Sequence, residues 1–198
     1  NVKVRVASNE SRAAVAASED PDSSTQMTPN TLKNYFLVTQ PEDKVEHLVN
    51  FLVARPNDKI IVFLLTCACV DYFSAFLPLL PALQQHRILG LHGKMKHAHR
   101  KATYSEFLGM EGGGVLICTD LVARGVDIPE VEWILQFDAP QDPSFFVHRI
   151  GRTARAGKSG NSLVYIMPQE DSYIEFLASK RVPLSPYPLA QYEPPRQE

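Results

Sequence analysis

The chain has 198 residues, 44% of them hydrophobic, with a net charge of −2 and a pI near 6.3. That is enough apolar material for one ordinary domain with a tail at each end. The weak charge excludes a global field for nucleic acid and leaves only local basic patches. No stretch reaches the roughly 18 apolar residues of a membrane span, and no signal peptide opens the sequence. Cys67, Cys69 and Cys118 lie in apolar runs. An odd number in core-like surroundings predicts buried thiols in a reducing compartment, not disulfides or zinc.

In chain order, Val2 to Val6 alternate like a half-exposed strand, and residues 7 to 30 read as an aperiodic linker after the end of a preceding domain. The organised domain spans 31 to 181. Tyr35 to Thr39 is predicted as a strand, and Pro41 to Arg55 as a helix with Val45, Leu48, Val49 and Leu52 on its apolar face. Ile60 to Leu65 is a continuous apolar run, β-branched at its start, suited to a strand buried on both faces. A helix from Cys69 to Leu80 stops at Pro81. A strand is expected at Arg87 to Leu91, a helix at Lys94 to Leu108, a turn at Glu111 to Gly114 and a strand at Val115 to Cys118. Trp133 to Phe137 is a strand, Pro143 to Ile150 a helix, Ser162 to Met167 a strand and Glu170 to Ser179 a last helix. Residues 182 to 198, with five prolines, are expected to hold no regular structure and to begin a C-terminal extension.

Strands alternating with helices predict an α/β fold, a parallel sheet with helices on both faces. In such sheets ligands gather at the carboxyl ends of the strands. Those ends deliver Leu65-Thr66, His92-Gly93, Thr119-Asp120 and Asp138, and three of the four carry polar groups suited to a ligand.

The decade from His148 to Gly157, HRIGRTARAG, holds Arg149, Arg152 and Arg155 at intervals of three. On a helix, residues three apart share a face, so Arg149 and Arg152 are expected to project together, with Arg155 brought round by the turn that follows. Guanidinium groups clustered without an acidic neighbour suit a polyphosphate; the plain alternative is an exposed basic helix end. Thr119-Asp120, followed by Arg124, Gly125 and Asp127, comes directly after a buried strand. A hydroxyl and free backbone N–H groups there suit a phosphate, although Asp120 would also serve as a helix N-cap. From His92 to Lys101 there are four Lys or Arg and no acid, with Gly93 permitting close backbone approach at a helix start. The histidines at 92, 97 and 99 do not share a helix face and have no acid or thiol beside them, which argues against a metal. The stretch from Gly151 to Ser159 is no P-loop, because five residues, not four, separate its glycines and a strand follows it.

Together these segments resemble the DEAD-box RNA helicases. HRIGRTARAG is similar to their motif VI, usually HRIGRTGRxG, with Ala154 where glycine is usual. TDLVARGVD matches motif V, TDxxARGxD, and HGKMKHAHR matches HGxMxQxxR, with His97 where glutamine is usual. Ile60 to Thr66 is similar to motif IV. The resemblance implies a RecA-like helicase C-terminal domain at 31–181. It makes Arg152 and Arg155 arginine fingers toward ATP, supported by His148 and Arg149. It places Gly125 and Asp127 at the nucleotide, and Thr66, Gly93, Arg100, Thr119, Arg124 and Gly125 on RNA. It also implies that ATP and magnesium are held mainly by an N-terminal RecA-like domain, since no P-loop and no Asp-Glu-Ala-Asp occurs in this sequence. The segment from Met167 to Leu177 and the variant Arg-Thr-Ala-Arg most resemble the nucleolar members that act in large ribosomal subunit assembly. The expected partners are then RNA, specifically pre-rRNA, the N-terminal RecA-like domain and pre-ribosomal proteins, with no membrane and a nuclear, nucleolar location. A competing reading is a docking module for protein or rRNA without catalysis of its own, which the acidic balance and Pro-rich tail favour. A DNA translocase of the same fold is disfavoured by the two motifs.

Overall fold

The computed structural model describes residues 32–120, 131–140, 142–150, 153 and 160–189. Seven parallel strands form one sheet in the order β3-β4-β2-β5-β6-β1-β7. The strands are β1 (Leu32–Val38), β2 (Lys59–Phe63), β3 (Ile88–Leu91), β4 (Gly114–Cys118), β5 (Trp133–Gln136), β6 (Gly160–Ile166) and β7 (Ser185–Pro186). The central strands β2, β4 and β5 are the continuous apolar runs, and apart from the half-buried Lys59 that opens β2 every residue in them is buried. This is what a parallel sheet covered on both faces demands.

Side-chain alternation splits the core between the two faces. Ile60, Val62, Val115, Ile117, Trp133 and Leu135 pack with helices α1 (Lys44–Val53) and α2 (Cys67–Phe76) on one face. Ile61, Leu116 and Ile134 meet α3 (His97–Leu108) on the other, while Val164 and Ile166 meet α4 (Pro143–Ile150) and α5 (Ser172–Ser179).

The elements stand where the patterning puts them, with shifted ends. Helix α1 starts at Lys44 because Pro41 to Asp43 form a turn, and it buries Lys44, His47, Leu48, Phe51 and Leu52. Val45 and Val49 are only partly buried, so the apolar face is rotated from the expected one. Helix α2 begins two residues early because Thr66 caps it, its hydroxyl oxygen accepting from the Cys69 N–H at 3.1 Å. It ends at Phe76, and two 3-10 turns, each with a proline in its first turn, carry the chain to Leu83. Of the three thiols only Cys118 is buried, so the expectation of buried thiols fails for Cys67 and Cys69.

The largest correction concerns the Pro-rich tail. Residues 185 and 186 form β7, parallel to β1, and Val182, Leu184 and Tyr187 are buried. Proline is admissible because β7 is an outermost strand with one side unpaired. The Tyr187 N–H donates to the Phe36 carbonyl at 2.8 Å, and its hydroxyl accepts from Arg55, whose guanidinium lies over Phe51 and Trp133. Residues 1–31, with the strand and the whole linker expected there, lie outside the described residues, as do 190–198.

Candidate nucleic-acid and nucleotide interface

The strand order makes β3, β4, β2 and β5 consecutive neighbours. Their carboxyl ends therefore lie side by side, and the four segments picked from the sequence share one edge. Each is positioned differently.

After β4, Thr119 is buried and its Oγ1 has no hydrogen-bond partner among the described residues. Arg100, half-buried in the first turn of α3, carries a buried Nε in the same condition. Buried polar atoms are normally paired. Two orphans on residues independently read as phosphate contacts are what an absent anionic ligand would leave. Lys96, the N-cap of α3, supplies no side-chain cap, so the first N–H groups of that helix are also open. Gly93 sits in the turn between β3 and α3, where the Met95 N–H bonds the His92 carbonyl at 3.3 Å. Thr66 is exposed beyond β2, its oxygen engaged in capping α2.

His92 faces inward. Its Nε2 lies 2.8 Å from an Asp71 carboxylate oxygen, and its Nδ1 accepts from the Lys94 N–H. His97 and His99 are exposed on α3, and the described residues hold no group of three or more metal-ligating side chains.

Arg149 corrects the arginine-face expectation. It is fully buried and it does have an acidic neighbour, while Arg152, expected to share its face, lies outside the described residues. Nε and Nη2 donate to the two oxygens of Asp120 at 2.6 and 2.8 Å, and Nη1 donates to the Asp138 carbonyl at 2.8 Å and to Gln136 at 3.2 Å. The bidentate fork is the geometry that distinguishes arginine from lysine. Asp120, read as an N-cap, is instead already helical and spends both oxygens on an ion pair. Thr153 anchors the other side of this segment, its hydroxyl donating to the Val131 carbonyl at 2.5 Å. His148 is exposed on α4, edge-on to Phe145. Arg124, Gly125, Asp127, Arg152, Ala154 and Arg155 lie outside the described residues.

One pair was missed. Lys44 Nζ donates to Asp138 Oδ1 at 2.9 Å, and Asp138 Oδ2 accepts from the Leu65 N–H at 3.3 Å. Asp138 is therefore engaged internally. The available signal was a lysine four residues before Leu48 and seven before Phe51, on the apolar face of its own helix.

These arrangements define a RecA-like α/β domain whose carboxyl edge joins two basic, phosphate-suited segments through a buried ion pair. Residues 43–157 match the model of the helicase conserved C-terminal domain, and the chain belongs to that family. Among similar proteins, the ATP-dependent RNA helicase DDX55 of Gallus gallus is 48% identical over 154 residues, covering 78% of this chain and 25% of the relative. DDX55 of Homo sapiens is 47% identical over 163 residues, with 82% and 26% covered. The chain thus spans about a quarter of the length of these relatives. Among solved structures, E. coli SrmB bound to a regulator of ribonuclease activity superposes with a TM-score of 0.70 at 26% identity, covering 86% of this chain and 98% of that one. Domain 2 of Mss116p bound to an RNA duplex gives 0.66 at 30% identity, covering 78% and 63%.

Proposed function

We propose that this chain is the second motor domain of an ATP-dependent DEAD-box RNA helicase. It supplies Arg152 and Arg155 to a nucleotide held by a partner RecA-like domain and half of the site for one RNA strand. The observation that carries this reading is the Arg149–Asp120 ion pair. It ties Thr119-Asp120, at the end of β4, to α4, the two described elements from which the RNA-side and nucleotide-side motifs continue. The orphaned Thr119 hydroxyl and Arg100 Nε support an RNA phosphate there.

The groups this chain directs to a nucleotide are two guanidiniums, a glycine backbone and one carboxylate. They suit polyphosphate oxygens and ribose hydroxyls but supply no cluster for magnesium, which fits a metal held mainly on the other domain. Bound ATP supplies the phosphoanhydride whose cleavage drives the cycle. Arginine fingers in related NTPases are worth about 10³ to 10⁵ in rate. The resemblance of the run from Met167 to Leu177 to the nucleolar helicases of ribosome assembly supports pre-rRNA as substrate, pre-ribosomal proteins as neighbours and the nucleolus as the location.

The test combines this domain with the separately expressed ATP-binding domain, joined covalently by the natural linker, and follows phosphate release with RNA. Turnover is expected only with both domains, and Arg155→Ala should lower it by at least about 10³-fold. Turnover by this domain alone, or full turnover in Arg155→Ala, would defeat the reading.

A further inference from the structure

Lys44 and Asp138 lie outside every segment assigned to ATP or RNA, yet Asp138 touches both sides of the edge. Its Oδ2 holds the N–H of Leu65, the residue before Thr66 on the RNA side. Its carbonyl holds Nη1 of Arg149, three residues before Arg152 on the nucleotide side. Its Oδ1 holds the Lys44 ammonium, which is 11% exposed and lies 4.4 Å from the centre of the Phe137 ring.

An ammonium so nearly dry is costly without a counter-ion, so Lys44 and Asp138 fix one another. The carboxylate is thereby held between the end of β2 and the end of β5. The neighbouring backbone bonds add to the joint, with the Phe137 N–H donating to the Phe63 carbonyl at 3.2 Å and the Leu64 N–H to the Cys118 carbonyl at 2.9 Å. Asp138 is the one residue of this set bonded to both the Thr66 turn and Arg149.

We infer that Asp138 is a positioning residue, with Lys44 as its clamp, that couples RNA engagement at the Thr66 turn to Arg149 and, on the helicase reading, to the action of Arg152 and Arg155. The inference rests on the helicase reading above. If it holds, losing the clamp leaves each half-site able to bind but lets RNA engage without seating the arginines. The maximal RNA-stimulated rate then falls while nucleotide affinity does not.

The experiment uses the full-length enzyme carrying Lys44→Met, Asp138→Asn or the charge-conserving Lys44→Arg. It records kcat at saturating RNA, KM for ATP and turnover without RNA. Loss of a charge-assisted bond predicts a fall of about tenfold or more in RNA-saturated kcat for Lys44→Met and Asp138→Asn. KM for ATP and RNA-free turnover should stay within about twofold, and Lys44→Arg should retain most of the wild-type rate. Unchanged RNA-saturated kcat would overturn the inference alone. So would a parallel decline in all three quantities, the mark of a merely structural role, or Lys44→Arg failing as Lys44→Met does. Wild-type enzyme without RNA-stimulated turnover would overturn the helicase reading, and this inference with it.

Discussion

The two ends of the same sheet are closed by different chemistry. At the carboxyl end, buried side-chain ion pairs are added to the backbone joints: Arg149 with Asp120, and Lys44 with Asp138. At the amino end the joints are largely backbone. The Gly114 N–H donates to the Asp58 carbonyl, Glu132 N–H to the Lys59 carbonyl and Asn161 N–H to the Glu132 carbonyl, all at 3.1 to 3.2 Å. Gly112 and Gly113 turn there with φ of 75° and 100°. Side chains contribute there through Lys59 and Glu132, the Lys59 N–H donating to the Glu132 carboxylate at 2.8 Å and Lys59 Nζ to the Leu108 carbonyl at 2.9 Å, without a buried ion pair among the described residues. The carboxyl end keeps charge at hand, and its spare polar atoms, Thr119 Oγ1 and Arg100 Nε, lie on the segments that belong to it.

The sharpest way to break this contrast is to remove the buried guanidinium. Arg149→Met leaves Asp120 and the Asp138 carbonyl without their donor and should destabilise the isolated domain by about 3–5 kcal/mol, read from urea unfolding. Adding Asp120→Leu should recover part of that loss, since the orphaned charge is the main penalty. A loss below about 1 kcal/mol for Arg149→Met would mean that water replaces the fork and that the edge is not held by charge.

At the opposite end the strongest test is a methyl group. A Cβ on Gly113 would stand 2.5 Å from the Pro56 carbonyl oxygen, and φ of 100° is closed to L side chains. Gly113→Ala should cost about 1–3 kcal/mol. Gly112→Ala is the control, because it shares the positive φ while a Cβ there meets nothing within 4 Å. Equal losses at 112 and 113 would remove the argument that backbone closeness organises this end.

Much of this division is legible in the sequence, and the reason it stops is distance along the chain. Period and turn chemistry are local, so the strand runs at 60 and 115, the glycine turn at 112–113 and helix α4 follow from neighbouring residues. Arg149 was readable as special but not as buried, because its partner Asp120 lies 29 residues away. The same applies to Lys44 and Asp138, 94 apart. In the tail, proline count outweighed the apolar Val182, Leu184 and Tyr187, which only the free edge of β1 and the distant Arg55 explain. Segment motifs thus found the edge, while the side chains that hold it together needed the fold.

The smallest expected effect tests whether charge at the amino end is incidental. Partial burial, with the Glu132 carboxylate as a further cause, holds the Asp58 carboxyl above its usual value of 3.8, against a partly offsetting Arg55. A carboxyl whose pKa is raised by folding binds its proton more tightly in the native state. Its ionised form therefore weakens the fold at neutral pH, and that penalty fades as pH falls through the raised pKa toward 3.8. Asp58→Asn should unfold at slightly higher urea than wild type at pH 7, and the gap should narrow on acidification. The Asp58 backbone carbonyl that receives Gly114 is untouched by this change, so only charge is altered. A gap that widens in acid would mean that Arg55 dominates and that Asp58 is a stabilising anion, making the amino end charge-held as well.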